Sequence, residues 1–328
     1  MTASIRIVCL ALAALACACT TTPCARAPRA AAPLSAHLAA RLDAPPMEIL
    51  ARGTPIDDAG IAIETGRVRI EGAELTYKTF VPISHDAGAR TPPFLLVLPI
   101  LAGGEPITER VCRSLARRGI ASGSLERRWK LFRERETIEE LSAKLARTVR
   151  AQRAFLDWMA QRGDVDERRL GVFGLSMGGM LATMLAAAEP RVQCAVICLA
   201  GGDFARLALE ADEIQVQRWV EQRCVTDDLT PDELRAEVRA RFDSDPLEFA
   251  GAVDARRVLF VDARFDGVLP DESRRALWRA LGRPERVDIP LGHYSSILAL
   301  EWIVARGTRF ATRTFERPAR ADSVAAAR

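Results

Sequence analysis

The run Arg169-Leu170-Gly171-Val172-Phe173-Gly174-Leu175-Ser176-Met177-Gly178-Gly179-Met180 constrains this chain more than any other. It joins an apolar strand, a serine flanked by glycines and the start of an apolar helix within one short stretch. A strand can turn into a helix this abruptly only if the central residue is strained and its neighbours lack a Cβ. Gly174 and Gly178 are therefore expected where a side chain would strike the adjoining strand and helix. Ser176 becomes the tip of the turn. Its Oγ is expected above the carboxyl end of a sheet and at the positive end of the helix that starts at Met177, a favourable place for a developing oxyanion. A lone G-x-S-x-G also describes a plain glycine-rich turn, so its meaning depends on partners elsewhere.

An activated serine needs a base, and the chain has three histidines. His37 lies in a stretch rich in proline and alanine, and His85 in the turn-like Ser84-His85-Asp86-Ala87-Gly88. His293 instead follows a strand-like run, Arg286 to Pro290, in the loop Leu291-Gly292-His293-Tyr294 ahead of an amphipathic helix. His293 is the expected base. The acid that orients it should follow a buried strand, and Val258 to Val261 is an apolar, β-branched run of that type. Two aspartates come next. Asp266 precedes Gly267 in a loop leading to Pro270, free to reach the site, whereas Asp262 at the strand end is suited to tying down backbone. Asp266 is favoured, and Asp203, after Gly201-Gly202, is a remoter rival. The order Ser176, Asp266, His293 is the nucleophile, acid, base order of one of the three unrelated serine layouts.

On these residues the region from about Arg67 to Phe315 resembles the α/β-hydrolases, of the bacterial dienelactone-hydrolase-like and acyl-peptidase-like esterase kind. The resemblance is carried by Gly174 to Gly179, Asp266 to Pro270 and Gly292-His293, and extends to the apolar strand and loop Phe94 to Gly104. It implies that one oxyanion-hole donor is the amide of Met177 and the other an amide in the loop after that strand. Leu101 is the favoured residue and Ile100 the alternative. Pro99-Ile100 stands where the family has His-Gly, and Pro99 has no N–H to offer.

Length and composition suit one catalytic domain: 328 residues, of which 49% are hydrophobic, can enclose a large core. Strand-like and helix-like segments alternate, which predicts an α/β fold with a mostly parallel sheet and helices on both faces. Val68 to Ile83 reads as two antiparallel strands broken near Gly72, and Thr137 to Gln161 as a long helix ending before Gly163. From Asp203 to Ala250 the pattern is wholly helical, with a cap signature at Thr230-Pro231-Asp232-Glu233. This is expected to be a helical cap over the site, at about 203–250, where Trp219, Val220 and Phe242 either line an acyl pocket or pack the cap on the core.

Residues 1–19 read as a signal peptide: Arg6 supplies the positive n-region, and the apolar run Ile7 to Ala18 is too short to span a bilayer. Small residues before Cys17 and Cys19 resemble a lipoprotein signal, with Cys19 favoured for lipidation. Residues 20–55 are expected to be a mostly disordered tether, 56–316 the catalytic domain, and 317–328 a disordered tail. The expected location is the cell envelope of a bacterium, periplasmic, with membrane contact only through the N-terminal lipid. Cys194 and Cys198 share a strand at roughly 13 Å separation and cannot be bridged, which leaves Cys112–Cys224 as the one pairing to test. A net charge of +3 indicates no nucleic-acid partner. The run Arg127 to Arg133 suggests contact with an anionic group, set against an ordinary solvated loop anchored by aromatics. No metal or cofactor is expected.

The expected activity is hydrolysis of a small-molecule carboxylic ester through an acyl-enzyme. Amide, thioester or peptide cleavage and a non-catalytic binding lipoprotein are the alternatives.

Overall fold

The computed structural model describes residues 19–25, 31–84, 90–101, 103, 105–133 and 135–316. In chain order the elements before the elbow are β1 (Thr20–Thr22), α1 (Ala36–Arg41), β2 (Met47–Arg52), β3 (Ile56–Asp57), β4 (Ile61–Ile70), β5 (Ala73–Pro82), β6 (Phe94–Leu98), α2 (Glu105–Ala116), β7 (Ala121–Leu125), α3 (Ile138–Ala160) and β8 (Leu170–Leu175). After it come α4 (Met177–Ala188), β9 (Val192–Cys198), α5 (Phe204–Glu210), α6 (Ile214–Asp227), α7 (Pro231–Arg241), α8 (Pro246–Ala250), β10 (Val258–Ala263), α9 (Asp271–Ala280), β11 (Glu285–Ile289) and α10 (Leu300–Phe315). Among the described residues no helix is long and apolar enough to cross a membrane.

The strands form one sheet in the order β1-β11-β10-β9-β8-β6-β7-β5-β4-β2, with β3 on β4. From β11 to β7 neighbours run parallel, and β5, β4, β2 and the edge strand β1 pair antiparallel. The central parallel strands β6, β8 and β10 are mostly apolar because both their faces are covered. Along β6, Leu96 and Leu98 point into a core roofed by α3, α4 and α9, while Leu95 and Val97 point into a second core under α2 and α10. The long helix α3 starts at a full capping box between Thr137 and Glu140. The sheet thus places the carboxyl ends of β6, β8, β9 and β10 along one edge.

The expected tether from 20 to 55 is the part of the domain plan that the described residues contradict. β1 adds to β11, with Thr20 abreast of Asp288, and β2 adds to β4, with Met47 abreast of Ile70. Leu42 is fully buried, and Arg41 donates to Asp243 at 2.9 Å and to the Ser142 and Ser244 hydroxyls, joining α1 to α3 and to the helical insertion. Edge strands draw their partners from the sheet rather than from their own sequence, so a polar Thr-Thr-Thr segment becomes a strand only when it docks. Residues 1–18, with Arg6 and Cys17, and 317–328 lie outside the described residues, as does His85.

Candidate active site

Ser176 sits between β8 and α4 with φ +54° and ψ −123°, a conformation that L-residues hold only under constraint. A Cβ on Gly174 would run into the carbonyl of Gly178, and one on Gly178 would come 2.6 Å from the carbonyl of Leu98 on β6. Those two glycines let strand and helix meet this closely. The Ser176 N–H donates to Cys198 O at 2.8 Å, and its carbonyl accepts from Gly179 N–H at 2.8 Å, so the elbow is tied to both β9 and the first turn of α4.

His293 Nε2 lies 3.0 Å from Ser176 Oγ and His293 Nδ1 2.8 Å from Asp266 Oδ2. Three loops, after β8, β10 and β11, bring these side chains together from 117 residues apart in sequence. Asp266 is buried, and its second oxygen, Oδ1, accepts the N–H groups of Val268 and Leu269, both at 2.9 Å. Burial alone would raise the pKa of Asp266. The hydrogen bond and charge of His293, helped by the two amides, outweigh it and hold the carboxyl below its usual range. An ionised Asp266 then fixes the imidazole with Nδ1–H toward itself and leaves Nε2 to accept from the serine hydroxyl.

The other acids are engaged elsewhere. Asp262 is fully buried and bonded to Arg274 Nη1 at 2.5 Å and Arg286 Nη2 at 2.8 Å. Asp203 caps α5 and pairs with Arg206.

Met177 begins α4, and among the described residues its N–H has no acceptor. Leu101 and Ile100, in the loop after β6, border the same cavity as Ser176, Met177 and His293. This is the arrangement in which two amides can face one oxyanion.

The sequence pattern of the prolyl oligopeptidase family matches residues 143–275, the span from α3 through the elbow to the start of α9. Solved structures agree with the topology. An acetyl xylan esterase from Paenibacillus sp. R4 superposes with a TM-score of 0.59 over 82% of this chain and 91% of that one, at 16% identity. The chain has the α/β-hydrolase fold. Acetyl xylan esterase 1 from Thermoanaerobacterium sp. JW/SL YS485 gives a TM-score of 0.59 at 17% identity, covering 83% of this chain and 94% of that one. Est1E from Butyrivibrio proteoclasticus gives 0.55 at 14%, covering 77% and 99%. No curated protein matches the sequence.

Above Ser176 and His293 lies a cavity of about 200 Å³. Its walls are mostly apolar: Met180 from α4, Leu199 from the end of β9, Phe204, Leu207 and Val216 from the helical insertion, and Phe132 from the loop after β7. The insertion is the expected cap. Asp245 ties its two ends together by accepting from the N–H groups of Asp203 and Leu247 at 3.1 and 2.9 Å, and Tyr294 of the domain reaches it through a hydroxyl that donates to Glu213 at 2.7 Å. Trp219 and Phe242 do not line the cavity. Trp219 is buried, donates from Nε1 to Glu136 O at 2.8 Å and meets Phe132 edge-on, and Phe242 stacks on Phe204 at 3.7 Å. They pack the cap on the core, as does Val220. Cys112 and Cys224 are both free thiols, and Cys194 and Cys198 are buried in the sheet.

The basic run after β7 has a role that the sequence did not disclose. Arg127 donates to the carbonyl oxygens of Trp129 at 2.7 Å, of Ile100 at 3.4 Å and of Leu101. Gly103 N–H also donates to Ile100 O, at 3.0 Å. In a trans peptide C=O and N–H point in opposite directions, so fixing the Ile100 carbonyl on the Arg127 side turns the Leu101 N–H away from it. Burial pushes the guanidinium below its usual pKa, and its Nε has no partner among the described residues. Trp129 carries Arg147 over its ring at 4.5 Å, and Phe132 joins the cavity wall. The segment is a brace for the loop after β6. The hint for it in the sequence was an arginine placed directly after a strand of the parallel set.

Proposed function

We propose that this α/β-hydrolase is a serine hydrolase that cleaves carboxylic esters bearing a hydrophobic acyl group. The reading is carried by the unbroken chain Asp266–His293–Ser176 at the floor of an apolar cavity. Ser176 Oγ attacks the ester carbonyl as His293 Nε2 takes its proton. The amides of Met177 and Leu101 stabilise the tetrahedral oxyanion, and His293 returns the proton to the departing alcohol. Water then enters by the same route, His293 acting again as base, and releases the acid. Asp266 keeps the imidazole in the productive tautomer and offsets its positive charge. The mostly apolar walls favour an alkyl or aryl acyl chain over a charged one, which would lose its hydration there.

Cleavage of a peptide bond is a second reading, supported by the match to the prolyl oligopeptidase family. The two separate on matched substrates: an aliphatic p-nitrophenyl ester should turn over with a kcat/KM far above that of the p-nitroanilide of the same acyl group. A preference for the anilide would favour the peptidase. We also propose that the protein resides at the bacterial envelope, exported by the signal peptide at residues 1–19 and anchored through Cys19 or Cys17.

A further inference from the structure

Cys19, the first described residue, and the mouth of the candidate site lie on one edge of the sheet. β1 runs antiparallel to β11, with Thr22 abreast of Arg286 and Thr20 abreast of Asp288, so the chain traced back to Cys19 approaches the carboxyl end of β11. β10 lies parallel to β11 and ends there too, Ala263 abreast of Ile289, and its next residues lead to Asp266. Arg264 Nη2 donates to Thr20 Oγ1 at 3.2 Å. Only β11, β10 and β9 separate β1 from β8, which carries Ser176 at its end. At about 4.8 Å per strand this is roughly 19 Å. Because residues 20–22 are held in the sheet, an anchor at Cys19 would keep this edge of the domain close to the bilayer.

The same edge exposes large apolar side chains. Phe265 is 66% exposed, Leu298 78%, Tyr294 66% and Ile214 56%. All four adjoin the mouth: Phe265 N–H donates to Leu291 O beside His293, Leu298 follows the lining residue Ile297, and Ile214 follows Glu213, the acceptor of the Tyr294 hydroxyl. Clustered apolar exposure of this kind marks a surface that is covered in use. Aliphatic and aromatic side chains with one phenolic hydroxyl suit the boundary between headgroups and acyl chains.

We propose that this edge lies against a lipid bilayer, so that the active site opens onto the membrane surface and takes esters dissolved in it. The inference rests on the reading of the N-terminal segment as a membrane anchor. Its test does not require catalysis. An environment-sensitive fluorescent amino acid is placed at position 298, or at exposed Ile56 on β3 at the opposite end of the sheet, in the full chain reconstituted into phosphatidylethanolamine and phosphatidylglycerol vesicles. The probe at 298 should shift to the blue and be quenched by brominated acyl chains, and the probe at 56 should do neither. The same result is expected in Ser176→Ala protein, which separates a failure of the reaction from a failure of the orientation. Equal, water-like emission at both positions, or no vesicle binding at all, would overturn the proposal. A second readout uses Phe265→Ser/Leu298→Ser. It should lose at least about tenfold in turnover of a vesicle-embedded ester and stay within about twofold on a soluble one, since the removed apolar area is what meets the bilayer. Equal losses on both substrates would also overturn it.

Discussion

Asp262 lies in β10 and Asp266 just beyond its end, four residues apart and both with buried side chains, yet their surroundings differ completely. Asp262 is held by Arg274 and Arg286 and joins β10 to α9 and β11. Asp266 has left the strand, takes two backbone amides on one oxygen and gives the other to His293. A carboxylate clamped between two guanidinium groups has no oxygen left to orient an imidazole. The comparison separates two placements of a buried charge: one fastens elements together, the other orients an imidazole.

Substitution at the two positions should break the comparison in opposite ways. Asp266→Asn should lower kcat by about 10⁴ with the unfolding midpoint nearly unchanged, because the amide favours the wrong imidazole tautomer. Asp262→Asn should leave kcat close to wild type but lose about 3–5 kcal/mol of stability in denaturant titrations, because two arginines are left around an uncharged partner. A large kcat loss confined to Asp262→Asn would exchange the roles.

Arg127 tests whether a fastening charge can also act on the chemistry. Arg127→Ala should reduce kcat by about 10 to 100-fold with KM little changed, less than loss of a whole oxyanion donor, because Leu101 loses its fixed orientation and not its N–H. Added guanidinium ion should restore part of the rate. An effect on KM alone would make the residue a part of the substrate pocket.

Glu64, in the antiparallel end of the sheet, extends the comparison to pH. It accepts from Arg52 at 2.9 Å and from the Tyr77 hydroxyl at 2.5 Å, and pairs with Arg162 at 3.1 Å. Burial pushes its pKa up, but these bonds outweigh it and lower the carboxyl from 4.5 to about 2. The folded state therefore binds this proton less readily than the unfolded chain. The stabilisation is complete above pH 4.5 and drains away as the pH falls toward 2. Glu64→Gln should be less stable near neutrality and lose less on acidification across that window, as followed by circular dichroism. A slope matching wild type would remove Glu64 from the acid response.

The smallest effect is expected at the exposed bridge between cap and histidine loop. Tyr294→Phe should cost about 1 kcal/mol or less and change KM more than kcat, since only one solvent-facing hydrogen bond is lost.

Much of this was legible in the chain before any coordinates. The parallel strands were readable because burial on both faces leaves continuous apolar runs, as in Phe94 to Leu98 and Val258 to Val261. The elbow was readable because backbone sterics leave glycine no substitute at 174 and 178. The docking of β1 and β2 was not, since they are short edge strands whose pairing is set by the sheet they join. Arg127 was hidden for a related reason: a basic run looks solvated until the carbonyl groups it meets, here those of Ile100 and Leu101, are brought in from another loop. Asp262 and Asp266 could be ranked by their distance from the strand end but separated only by the positions of Arg274, Arg286 and His293.

The central claim is that Ser176 is an activated nucleophile, and covalent labelling tests it without any assumption about the substrate. Incubation with a fluorophosphonate at neutral pH, followed by peptide mapping, should place a single adduct on Ser176 in wild-type protein. The adduct should be absent from Ser176→Ala and its formation strongly slowed in Asp266→Asn. A wild-type protein that stays unlabelled, or an adduct elsewhere that persists in Ser176→Ala, would contradict the account.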